Sequence, residues 1–349
     1  MNHPTPRAAP GEPPAVRTPG HVPLAHVVRG GVVEGVHHGS VVVLAADGGV
    51  EFLAGDIEAA FYPRSALKPL QAVGLLRAGL DLAEDDTEAL ALTAASHSGA
   101  QVHLDLARRM LDSAGLTEDD LASTPDLPYG AAEREEWLRA GHGPSRLAQN
   151  CSGKHAAMVR TAQARRWPLT GYLDPGHPLQ RELAATVAEL TGQRIAQVTV
   201  DGCGAPLFSV SLHGLTRAVA RLTTAGPGTH ERRVADAMRA HPELVSGEGR
   251  DVAGLMRALP GALAKDGFEG VQVVALPDGR AVGVKIADGA DRARMPVTAA
   301  ALALAGVDPD LLAPFARTPV IGGGREVGSL RAAGALAPVS DPGPAVPAA

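Results

Sequence analysis

At 349 residues the chain has room for one large domain or two ordinary ones. A net charge of −6 without any basic block argues against nucleic-acid binding as its main work, and no apolar run approaches the ~20 residues that span a bilayer. Hydrophobic residues make up 45% of the chain and aromatic residues only 3%, so alanine, valine and leucine must fill the core.

The proline-rich start, 1–23, lacks the apolar stretch of a signal peptide and reads as a disordered leader. Residues 336–349 read as a matching tail, which leaves a single domain over 24–335. Without a secretion signal the expected compartment is the cytoplasm, where Cys151 and Cys203 serve as thiols or metal ligands rather than as a structural disulfide. Strand patterns occupy 24–28, 32–36 and 40–44, and an Asp47-Gly48-Gly49 turn leads back into 50–53. Helical patterns then dominate: one begins at the serine–lysine stretch described below, and others cover 87–95, 102–111, 155–164, 179–190, 206–222 and 231–240. A strand-like piece at 195–200 interrupts them. Near the end, Pro277-Asp278-Gly279-Arg280 joins strands at 270–276 and 281–286, followed by a helix at 296–305 and a short turn or helix at 309–317. Strands at both ends around a helical middle predict an α/β (α+β) fold. The N- and C-terminal strands would form one antiparallel sheet, with the helices packed beside it.

Three motifs carry candidate chemistry. In Ser65-Ala66-Leu67-Lys68-Pro69 the serine and lysine are three apart, so Oγ and Nζ can meet across one helical turn. A serine hydroxyl needs such a base, and a lysine serves as one only where burial or nearby positive charge lowers its pKa. Pro69 fits this reading only if the helix has barely begun there. Ser96-His97-Ser98-Gly99 supplies a second hydroxyl, although on its own it also reads as a glycine-capped helix end. Lys265-Asp266-Gly267 supplies a second lysine, although alone it reads as an exposed turn. The three follow the order of S-x-x-K, S-D-N and K-T-G in serine β-lactamases and penicillin-binding proteins. Separately, Asn150-Cys151-Ser152-Gly153-Lys154-His155 and Asp201-Gly202-Cys203-Gly204 offer two thiols and an amine, a set that suits Zn²⁺. Lysine is an uncommon zinc ligand, so His155, Asp201 and His97 are rivals for the third place, and two buried cysteines acting as small hydrophobes are the plainer alternative.

The segments SALKPLQ, ASHSG, NCSGKHAAM, DPxHPLQ (174–180), DGCGAP and KDGFEGV together resemble the serine-dependent bacterial L-asparaginases of the Rhizobium type, from about residue 27 to 332. The resemblance implies a serine β-lactamase-like fold, hydrolysis of asparagine to aspartate and ammonia, and a homodimer. It places the nucleophile and base on Ser65 and Lys68, the second pair on Ser96 and Lys265, and substrate-binding positions on Arg64, His155 and Asp201. It implies zinc held by Cys151, Lys154 and Cys203. Ala100 and Phe268 depart from the family pattern, where glutamate and a small residue are expected. The rival readings are a β-lactamase- or esterase-like serine hydrolase and a non-catalytic zinc-binding protein.

Overall fold

The computed structural model describes residues 18–337. β1 (Val22–Arg29) turns into β2 (Val32–Leu44), and β3 (Val50–Ala54) returns along it. The two strands expected at 32–36 and 40–44 are one continuous strand of 13 residues. Its middle, His37-His38-Gly39, has no β-branched residue, but it is hydrogen-bonded to β1 on one side and to a strand from the far end of the chain on the other. Gly39 permits that approach, since a Cβ there would stand 2.2 Å from Lys285 O.

A two-residue strand, β4 (Ala60–Phe61), leads into a 3₁₀ turn, Arg64–Leu67, that continues as α1 (Lys68–Arg77). Pro69 lies within the first two positions of α1, where its missing N–H breaks no intrahelical bond. The helical middle follows with α2 (Thr87–Thr93), α3 (Gln101–Asp112), α4 (Ala131–Arg139), α5 (Ser152–Ala164) and α6 (Pro178–Thr191). α4 buries none of its residues and has no apolar stripe for a sequence reading to find. β5 (Val198–Val200) and β6 (Pro206–Phe208) form a hairpin, and β7 (Val210–Ser211) pairs with β4. The helix expected at 206–222 is therefore two short strands followed by α7 (Leu212–Thr224), which Ser211 caps by accepting from Gly214 N. Next come α8 (His230–Ala240), α9 (Pro242–Val245), α10 (Asp251–Ala258), β8 (Leu263–Gly267), β9 (Val271–Ala275) and β10 (Ala281–Ile286). α11 (Asp291–Leu304), α12 (Pro309–Leu312), β11 (Arg317–Gly322) and β12 (Arg325–Ala332) complete the order.

The main sheet runs β11-β12-β1-β2-β10-β9-β8, with β3 also on β2, and every pairing is antiparallel. It is the expected α/β architecture: strands from both chain ends in one sheet and the helices beside it. Three strands of it, β8, β11 and β12, are missing from the sequence reading. β8 carries Lys265 and Asp266 fully inside, and a hydropathy pattern counts such residues as exposed. β12 is built in because it pairs with β1 along five residue pairs.

β9 is buried along its whole length and β10 along nearly all of it, covered by α7 and α11. α11 starts five residues before the expected 296, so Pro296 lies inside it. A proline there leaves the carbonyl of Arg292 without its helical donor, and Thr318 Oγ1 of β11 fills the place at 3.0 Å. The helical middle packs beyond β8, with the 3₁₀ turn against β8 and β9. The expected leader and tail lie outside the described residues apart from 18–23 and 336–337; Val22 and Pro23 already stand in β1, and Leu336 packs on the core. Among the described residues no helix is long and apolar enough to cross a membrane.

Candidate active site

Ser65 sits in the 3₁₀ turn between β4 and α1, at the junction of the sheet with the helices. The residue before it, Arg64, has φ 55°, a left-handed conformation that costs a side chain about 1–2 kcal/mol. Arg64 is held there by Asp201, whose Oδ1 accepts from Nε at 2.7 Å, and its guanidinium lies 5.4 Å from the centre of the Phe268 ring. β8 braces the turn from below. A Cβ on Gly267 would stand 2.1 Å from Pro63 O, so the glycine of Lys-Asp-Gly serves close approach at the end of a buried strand, not an exposed turn.

Lys68 Nζ, 1% exposed, donates to Ser96 Oγ at 3.0 Å and to Ala95 O at 2.5 Å. Lys265 Nζ, fully buried, donates to the same Ser96 Oγ at 3.1 Å and to Asp266 O and Oδ1 at 3.0 and 2.5 Å. One hydroxyl thus bridges two lysines. The contact expected across one turn, Ser65 to Lys68, is not formed: the lysine finds acceptors just past the end of α2 instead. Ser65 Oγ has no hydrogen-bond partner among the described residues and opens into a cavity lined also by Ser96, Tyr129, Asn150, Asp266 and Phe268. Burial pushes Lys265 down to about 8; Asp266 opposes that shift and the Lys68 charge adds to it. Burial alone would raise the Asp266 carboxyl, but Lys265, Arg250 and Arg294 outweigh it and hold the group far below the usual carboxylate range.

The chain has 32 basic residues but only four lysines, Lys68, Lys154, Lys265 and Lys285, and the first three are buried around this site. Arginine does not give up its proton and lysine can, and burial favours that loss at Lys265.

Cys151 stands at the N-cap position of α5, which places Lys154 and His155 in its first turn. Cys203 comes from the turn between β5 and β6. The turn brings its sulfur within 3.3 Å of Lys154 Nζ, and the Cys151 thiol donates to Asn150 Oδ1 at 3.2 Å. The neighbouring Cys151 thiol, with Lys154 beside it, holds Cys203 well below the usual thiol range, while the Cys203 sulfur and burial push Cys151 up to about 12. Among the described residues no group of three or more His, Cys, Asp and Glu side chains is placed to hold a metal, and here the third donor is an amine. Two sulfurs and one nitrogen remain a donor set that suits Zn²⁺. Of the rivals, Asp201 is engaged by Arg64, and His97 Nε2 lies 2.8 Å from Ser152 Oγ. His155 bonds Tyr172 through Nδ1 and keeps a buried, unpartnered Nε2.

The two departures fall in different places. Ala100 precedes α3 and lines a separate pocket with Glu133 and Trp137. Phe268, 56% exposed, lines the Ser65 cavity itself. The sequence reading did not single out Tyr129, Asn150, Arg250 or Asp266. Asn150 and Asp266 stand inside motifs it quoted, whereas Tyr129 and Arg250 lie in loops with no pattern to flag them.

Fold and site define a class: a mixed α/β protein with serine and lysine side chains gathered at a cavity beside the sheet. The L-asparaginase II family profile matches residues 25–332, and the protein belongs to that family, whose members hydrolyse amides. No curated protein matches the sequence. Among solved structures the chain is similar to a β-lactamase from Mycobacterium bovis, with 15% identity, 72% of this chain and 88% of that one covered, and a TM-score of 0.38. EstCE1, a hydrolase with promiscuous acyltransferase activity, matches at 15% identity over 71% of this chain and 88% of its own, with a TM-score of 0.38. Mglu in its native form matches at 18% identity over 78% and 63%, with a TM-score of 0.34.

Proposed function

We propose that the protein is an L-asparaginase that works through a Ser65 acyl-enzyme. The observation that carries this reading is the bridge of Ser96 Oγ between Lys68 and Lys265, at a cavity into which Ser65 Oγ opens unpartnered. Lys68 takes the Ser65 proton, and Oγ attacks the side-chain carboxamide carbon of asparagine. The backbone N–H groups of Ser65 and Phe268 have no partner among the described residues and belong to residues of the cavity wall, which suits them to the developing oxyanion. Such a donor is worth about 3–4 kcal/mol. The C–N bond breaks as Ser96, backed by Lys265, passes a proton to the nitrogen, and ammonia leaves. Water then cleaves the ester, the proton returns to Ser65, and aspartate departs.

Arg64, His155 and Asp201 are read as the substrate-binding wall, and Cys151, Lys154 and Cys203 as the residues that would hold zinc. Bound there, zinc would supply a fixed positive charge and a rigid link between α5 and the β5–β6 hairpin. Two thiols rather than a disulfide suit a cytoplasmic protein, and a homodimer completes the reading. Ammonia release from asparagine by wild type and Ser65→Ala, each with and without a chelator, is the test. Loss with Ser65→Ala supports the assignment. Turnover of a β-lactam or an aryl ester far above that of asparagine decides for the broader serine-hydrolase alternative.

A further inference from the structure

An ammonium has three N–H donors, and Lys265 has three acceptors around it: Ser96 Oγ, Asp266 O and Asp266 Oδ1. The other carboxylate oxygen of Asp266 accepts from Arg250 Nη2 at 3.1 Å. Arg250 Nη1 donates to the carbonyl of Ser96 at 2.8 Å and reaches Ser246 O at 3.4 Å. The guanidinium lies 4.7 Å from the centre of the Tyr129 ring on the cavity wall. One arginine, from the loop before α10, therefore grips both the residue that carries the second hydroxyl and the carboxylate that faces the second lysine.

We propose that Asp266 and Arg250 are positioning residues of the hydrolysis. Asp266 keeps Lys265 an ammonium aimed at Ser96 Oγ, and Arg250 sets the spacing between Asp266 and Ser96. The inference rests on the proposed function, in which protonated Lys265 backs proton delivery to the leaving nitrogen. The titratable and charged groups facing Lys265 are Lys68 from α1, Asp266 of its own strand and Arg250; Arg294 from α11 and Tyr129 face Asp266.

The test uses opposite signs. Lys265 loses its proton near pH 8, so kcat/KM should fall on the alkaline side there. Asp266→Asn removes the charge that opposes deprotonation, and the fall should move to lower pH by about one unit or more, a roughly fivefold or greater loss at the wild-type midpoint. Arg250→Gln removes a cation that favours deprotonation, and the fall should move to higher pH. A merely structural role would lower the plateau in both variants without moving the limb in opposite directions. Arg250, with its side chain 18% exposed, is the variant expected to keep the fold. A readout independent of activity comes from ¹³Cε-lysine NMR, where only four lysines need resolving. The Lys265 midpoint should shift up in Arg250→Gln and, where that variant folds, down in Asp266→Asn. Midpoints that stay put, or that move the same way, overturn the proposal. Ser65→Ala run alongside separates the two ideas: if it still turns over asparagine, the functional reading fails while the lysine titration still tests Asp266 and Arg250. If it is inactive and the Lys265 midpoint ignores Arg250→Gln, only this inference fails.

Discussion

Ser65 and Lys68 share a turn of chain but are not bonded to each other at rest: the lysine is anchored on Ser96, and Ser65 Oγ has no partner among the described residues. If they form one proton-transfer unit, Ser65→Ala and Lys68→Ala should each lower kcat by roughly 10⁴-fold, and the double variant should cost little more than either alone. Steady-state kinetics on the three variants checks this, and fully additive losses would count against a shared step. The same residues show how far a sequence carries at this scale. Residue types and order point to serine and lysine chemistry, but the choice of partner does not follow from i, i+3 spacing. That choice was made by the carbonyl of Ala95 and the hydroxyl of Ser96, which arrive from past the end of another helix. The scarcity of lysine was a signal in the composition, and it gains meaning once three of the four are seen to be buried together.

Among the elements, β8 decides the geometry of the site. It presents Lys265 to Ser96 and abuts the serine turn through Gly267. Gly267→Ala would drive a methyl group into Pro63 O, so the turn must shift away from the strand. Overpacking of this kind costs about 1–3 kcal/mol, and here it also displaces Ser65 from its neighbours. A lower melting temperature together with a lower kcat is the expected result; a variant with wild-type values of both would show that the contact is not limiting. The strand escaped the sequence reading for the reason that makes it important: its two charged residues face inward and pair with one another. α11 shows the converse case. Pro296 reads as a helix start, yet the helix runs through it because β11 supplies the donor that the freed carbonyl needs.

For the whole molecule, the cysteine–lysine–cysteine set joins α5 to the β5–β6 hairpin, so metal content reports on how these parts are held. Purified protein should carry about one zinc per chain, and a thiol reagent should find Cys151 and Cys203 protected until a chelator is added. A Cys151–Cys203 disulfide in freshly prepared protein would overturn both the metal reading and the compartment. The sequence by itself determined the chain's broad plan: strands at both ends, helices between, and a set of short motifs specific enough to mark the family. It could do so because hydropathy periods and motif chemistry are local properties. Only the tertiary structure decided that β12 returns to pair with β1, that β2 is a single strand held from both sides, and that one serine bridges two lysines. Those outcomes depend on backbone groups and side chains hundreds of residues apart satisfying one another, and a buried charge looks like a surface charge until its partner is in place.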